Sequence, residues 1–162
     1  MTRYLARVEH APDRAIDRAT AIARDVRAQL LRYEEVPRDL AGECGLAAML
    51  VAAAIADPRA LRTGVYMKPK PFLGRRGRYP YRHAWCRVGP MIVDATATQF
   101  DRGNKVVHVV RCDEDVRYVE TAAGADAIDD IMTHWRGREL PAYVQIAEDL
   151  RRILRCQESP DA

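Results

Sequence analysis

The chain has 162 residues, a formal net charge of +3 at pH 7, 48% hydrophobic residues and 30% charged residues. That length suits one domain, 1–162, built on a single core, and so mild a charge does not by itself argue for nucleic acid. No apolar run reaches membrane-spanning length, and the N-terminus lacks an apolar leader core. A cytoplasmic protein is expected, with export by a route that needs no Sec-type signal left open.

Four cysteines stand at 44, 86, 112 and 156. They form no Cys-x-x-Cys pair and no Cys/His zinc spacing, so neither a metal nor a cofactor is expected. Scattered single cysteines, with a histidine available elsewhere, keep cysteine catalysis in view.

Residues 1–10 read as a short strand or an irregular arm. From Ala11 to Glu35 apolar residues recur at helical spacing (Ile16, Ala19, Ile22, Ala23, Val26, Leu30) and charges fill the other face. After Pro37 a short loop leads to Gly42-Glu43-Cys44-Gly45. The run from Leu46 to Ala56 has no polar residue, which is the pattern of a buried helix. Cys44 stands at its start, where unpaired N–H groups and the helix dipole favour a thiolate, the nucleophilic form of the residue.

Thr63 to Met67 reads as a strand. Lys68 to Arg82 carries six basic residues, three prolines and two glycines, and reads as a basic loop. Arg82 to Val88 and Met91 to Thr96 alternate as strands around a Gly89-Pro90 turn, so the pair predicts a hairpin. Lys105 to Arg111 is a further strand, and Val116 to Glu120 is another candidate. Asp126 to Trp135 and Pro141 to Cys156 are amphipathic helices, and the tail from Gln157 frays. Helices, then an antiparallel sheet, then helices again make an α+β fold.

The hairpin has a chemical consequence. The midpoint between His83 and Asp94 falls next to the turn, so the two residues lie opposite or nearly opposite. Directly opposed Cβ atoms are roughly 4.5–5.5 Å apart, within reach of an imidazole–carboxylate bond. Asp94 among Ile92, Val93 and Ala95 needs a partner if it is buried, and Arg82 or Arg87 compete with His83 for that role. A sulfur nucleophile, an imidazole and a group that fixes its tautomer are the parts needed for acyl transfer. Taken singly, Cys44 also reads as a buried structural thiol and His83 as an ordinary strand histidine. Trp85 reads first as core. Thr96 and Gln99 can bond the Asp94 carboxylate, shape the site or cap a turn. His108 points away from its valine neighbours, and His10 and His134 have no nameable partner.

Gly42-Glu43-Cys44-Gly45, His83-Ala84-Trp85 and Val93-Asp94-Ala95-Thr96, in that order, resemble the transglutaminase-like branch of the papain-like cysteine superfamily. The resemblance covers residues 40–110. It implies a nucleophile-bearing buried helix packed on an antiparallel sheet, with further helices toward both termini. It assigns Cys44 as nucleophile, His83 as general base and acid, and Asp94 as orienter. It implies hydrolysis of an amide or peptide bond, as a thiol protease or a glutamine deamidase, with no cofactor. The glutamine that papain-type enzymes carry before the nucleophile is missing, which leaves the second oxyanion donor unassigned. Transglutamination and a catalytically degenerate protein-binding module are the alternatives. The expected partner is a protein or peptide, and an acidic one fits the basic loop. That loop reads first as solvated, then as a contact for acidic protein, and last as a nucleic-acid contact; no membrane is implied.

Overall fold

The computed structural model describes residues 11–32, 42–69, 78–100, 107–135 and 137–159. Its main elements are α1 (Ala11–Leu30), α2 (Cys44–Ala54), β1 (Leu61–Pro69), β2 (Arg78–Val88), β3 (Met91–Asp94), β4 (His108–Arg111), β5 (Tyr118–Ala123), α3 (Gly124–His134) and α4 (Pro141–Glu158). Among the described residues the architecture is α+β: four helices and one antiparallel sheet, in strand order β4-β3-β2-β1-β5.

α2 is central because its composition leaves no face for water. Cys44, Gly45, Ala47, Ala48, Met49, Val51 and Ala52 are all buried. A helix apolar all round needs cover on several sides. β2 covers one side, and α1 and α4 cover others. α1 contributes Ala19, Ala23, Val26 and Leu30 to this core, and α4 contributes Tyr143, Ala147, Leu150 and Leu154. Each set follows the spacing of one helical stripe.

Strand parity sorts the sheet residues onto two faces. On β2, Cys86 turns toward α2, where its thiol donates to the Ala48 carbonyl at 3.4 Å. His83 and Trp85 have the other parity and point to the opposite face. Tyr66 lies opposite Tyr81 on β2 and Tyr118 on β5, so an aromatic layer forms there. Gly64, opposite His83, sits at a bulge between β1 and β5; a Cβ there would lie 2.0 Å from the Val119 carbonyl oxygen.

Several boundaries differ from the sequence expectation. β2 starts at Arg78 and pairs with β1 from Pro69↔Arg78 onward, so 78–82 is strand and not loop. Pro80 fits because its nitrogen faces the side of β2 where β3 supplies no partner: β2 pairs with β3 only from Cys86 to Val88. β5 starts at Tyr118 and not at Val116 because the Asp115 carboxylate accepts the Arg117 N–H at 3.1 Å and holds a turn. β3 stops at Asp94, and Thr96 belongs to the following turn. α1 ends at Leu30, with Leu31 and Arg32 in a turn. The N-terminal arm, residues 33–41, the loop centre 70–77, the break at 101–104 and the start of the expected strand at Lys105 lie outside the described residues. No helix among the described residues is long and apolar enough to cross a membrane.

Candidate active site

His83 and Asp94 meet, but not as directly opposed residues. Cys86 pairs with Val93, so Asp94 is one step further on, level with Trp85. His83 and Asp94 are therefore diagonal neighbours on one face. The imidazole closes the gap: His83 Nε2 donates to Asp94 Oδ2 at 2.6 Å. Neither competing arginine takes Asp94. Arg82 pairs with Asp130 at 2.8 Å, and the Arg87 partner is Glu120 at 3.7 Å.

The remaining lone pairs of Asp94 are used. Oδ1 accepts the Thr96 N–H at 2.8 Å and the Thr96 hydroxyl at 3.1 Å, and Oδ2 also accepts the Tyr118 hydroxyl at 2.8 Å. Arg27 on α1 braces the same segment by donating to the Ala95 carbonyl at 3.0 Å and to Thr98 Oγ1 at 2.9 Å. Aromatic rings wall in the imidazole. Phe100 meets it edge-on at 4.7 Å and Trp85 stacks at 5.9 Å.

Cys44 enters from the helical layer. Where β3 stops, the edge of β2 is open to the first turn of α2, and His83 and the Ala84 main chain both act on the sulfur to lower its thiol pKa. With Nε2 committed to Asp94, the histidine nitrogen left for sulfur is Nδ1. A donor comes from the far end of the chain: Trp135 Nε1–H points at Cys44 Sγ, 3.3 Å away. Gly45 makes room for that ring, because a Cβ at 45 would lie 2.5 Å from Trp135 Cδ1. The Arg82 guanidinium covers the indole from outside, 5.5 Å from the ring centre.

Burial makes these contacts count. Relative exposure is 4% at Cys44, 0% at His83 and 1% at Asp94, so water screens the charges little. Burial works against the Cys44 thiolate, but the hydrogen bond and charge of His83, then Trp135 and Ala84, hold the thiol below its ordinary value. Burial also opposes the His83 cation. The charge and hydrogen bond of Asp94, reinforced by Cys44, nevertheless raise it to about 10. Asp94 is held below the usual carboxylate range: burial opposes this, and His83 outweighs it. The charges of His83, Cys44 and Asp94 thus pull toward a thiolate–imidazolium–carboxylate row.

Comparison with protein-family models, with curated proteins and with solved structures returned no match.

Trp85 is buried and also stacks on His83. Thr96 bonds the carboxylate, whereas Gln99 bonds the histidine, with Gln99 Nε2 3.2 Å from His83 Nδ1. His108 is half-buried, with Nε2 3.2 Å from Asp115 Oδ2. His134 Nδ1 lies 2.9 Å from Asp130 Oδ1, and His10 lies outside the described residues. Among the described residues no group of three His, Cys, Asp or Glu side chains is placed to hold a metal ion. Sequence reasoning missed Tyr118, Trp135 and Arg27. Gly45 was the one available signal, a glycine next to the candidate nucleophile where close approach is needed.

Proposed function

We propose that this chain is a cysteine-dependent acyl-transfer enzyme of the transglutaminase-like, papain-like kind, hydrolysing an amide or peptide bond. The carrying observation is that the Trp135 indole N–H donates to Cys44 Sγ at 3.3 Å, while His83, held by Asp94 at 2.6 Å, lowers the Cys44 thiol pKa. Structural thiols have no need of such partners.

In this reading the Cys44 thiolate attacks a carbonyl carbon. The developing oxyanion is met by the Cys44 backbone N–H in the first turn of α2 and by the Trp135 indole N–H, which fills the place of the missing glutamine. His83 Nδ1–H passes its proton to the leaving amine, and a thioester remains on Cys44. Water, deprotonated by His83, then releases the acid and restores the thiol. Asp94 keeps Nε2 protonated and the ring oriented throughout.

Exposure of candidate proteins to the wild type and to Cys44→Ala, followed by intact mass measurement, tests the proposal. Backbone cleavage, a gain of about one dalton and cross-linking report proteolysis, deamidation and transglutamination, the three outcomes of one thioester. Hydrolysis is the expected result, lost in Cys44→Ala. The near-complete burial of Cys44 favours a second reading, a binding module on the same scaffold. A Cys44 that iodoacetamide modifies no faster than Cys112 or Cys156 near neutral pH would establish that reading in place of the enzyme.

A further inference from the structure

His83 Nδ1 has a second suitor. The Gln99 side-chain amide lies 3.2 Å from it and 3.3 Å from Thr96 Oγ1. Thr96 Oγ1 is in turn 3.1 Å from Asp94 Oδ1. A carboxylate oxygen only accepts, so the single Thr96 hydroxyl proton must go to Asp94. Toward Gln99 the hydroxyl can then only accept. The Gln99 atom facing it is therefore the NH2 nitrogen, and its second hydrogen points at His83 Nδ1. The four side chains close a ring: His83 donates to Asp94, Thr96 donates to Asp94, and Gln99 donates to both Thr96 and His83.

This ring has a chemical meaning. A donor aimed at Nδ1 is satisfied only while Nδ1 carries a lone pair, that is, while His83 is neutral. Once Nδ1 takes the Cys44 proton, two N–H groups face each other and the Gln99 amide must turn away. Two groups around the imidazole favour the cation, Asp94 from β3 and the Cys44 thiolate from α2, while the Tyr66 ring from β1 and the Tyr118 ring from β5 are neutral neighbours. Arg27 from α1 is a nearby cation, but it is spent on the carbonyl of Ala95 and on Thr98.

Resting on the proposed cysteine chemistry, we infer that Gln99 is a positioning residue that holds His83 in its proton-accepting state and restrains ionisation of Cys44 until the amide is turned aside. It marks the two points of the cycle at which Nδ1 is a base: before it receives the thiol proton, and after it has given that proton to the leaving amine. Asp94 sets how strongly His83 binds a proton; Gln99 sets when Nδ1 is free to take one.

The pH–rate profile of Cys44 alkylation by iodoacetamide tests this without a known substrate. The thiolate forms an S–C bond and iodide leaves, so the rate follows the thiolate population. Gln99→Leu keeps the bulk and deletes the donor. Its acid limb is expected at lower pH than the wild type's, with alkylation about fivefold faster at a pH on that limb, as for one hydrogen bond. Gln99→Glu replaces the donor by an acceptor and is expected to move the limb further the same way. An unchanged limb, or one moved to higher pH, in whichever variant folds by circular dichroism overturns the role of Gln99. If wild-type Cys44 reacts no faster than Cys156, the cysteine chemistry itself fails, and the inference fails with it. A fast wild-type Cys44 with an unmoved limb overturns the inference alone.

Discussion

Cys44 and Cys86 are both buried at the contact of α2 with β2, one on the helix and one on the strand, yet their thiols are driven in opposite directions. Burial, and then the Asp94 charge, push Cys86 far above the ordinary thiol value. Burial acts on Cys44 too and is overcome. The difference lies in what each sulfur meets. Cys86 meets the Ala48 carbonyl, an acceptor that requires the proton to stay. Cys44 meets the His83 imidazole, the Trp135 indole and the Ala84 main chain, which lower it. Burial raises both thiols, and at Cys44 the neighbouring groups reverse the sign.

The largest break in this contrast comes from His83→Gln. Without the imidazole, Cys44 becomes a buried thiol like Cys86, and its alkylation at pH 6–7 is expected to fall by on the order of 100-fold. Mass mapping after iodoacetamide treatment reads this directly. In the wild type the pH signs are fixed by the direction of each shift. His83 is raised to about 10, so its stabilising contribution is complete below about 6.5, the unfolded value, and is lost as pH rises through about 10. Cys44 and Asp94 are lowered, so their contributions are present above their unfolded values, about 8.5 and 3.9, and are lost as pH falls through the folded ones. Substrate turnover is expected to decline above about pH 10, where His83 can no longer protonate a leaving amine.

Asp94→Asn is an effect of similar size, read in stability. It takes the counter-charge from a fully buried imidazole, and stability measured by urea unfolding at pH 7 is expected to drop by about 3 kcal/mol, the low end for a stranded buried partner because His83 can shed its proton. The alkaline decline of turnover moves down with it. Trp135→Phe keeps an aromatic ring between Gly45 and Arg82 but deletes the N–H on sulfur. Cys44 alkylation at pH 6 is expected to slow by about tenfold, as for one hydrogen bond to a charged acceptor. The smallest effect is that of Cys86→Ala. It removes one weak hydrogen bond and a small volume, costing about 1 kcal/mol in unfolding experiments and leaving the Cys44 pH–rate profile unmoved. A moved profile would mean that the two sulfurs are coupled and the contrast is not local.

A second contrast, between two His–Asp pairs, shows why residue type alone does not identify a site. His108 and Asp115 approach at 3.2 Å, and a second partner, Arg117, shares the carboxylate. His83 and Asp94 lie 2.6 Å apart, both almost fully buried, and His83 lowers the Cys44 thiol pKa.

The sequence by itself determined the order of elements, the burial of α2 and the parity that puts His83 and Asp94 on one sheet face. These follow from local periodicity, 3.6 residues per turn in Leu46–Ala56 and two in Arg82–Val88, and from the Gly89-Pro90 turn that ties the two strands. It left the partner of Asp94 open among His83, Arg82 and Arg87, and the assembled fold decided it, with Arg82 drawn to Asp130 on α3 and Arg87 to Glu120 on β5. The strand start at Arg78 was hidden by Pro80, which is harmless on an edge that β3 leaves open. Trp135 lies 91 residues from Cys44, Arg27 lies 68 residues from Ala95 and Tyr118 lies 24 residues from Asp94. No periodicity spans such intervals. Those partners are set by which helix end or strand reaches the open edge of β2, and that is a property of the assembled layers.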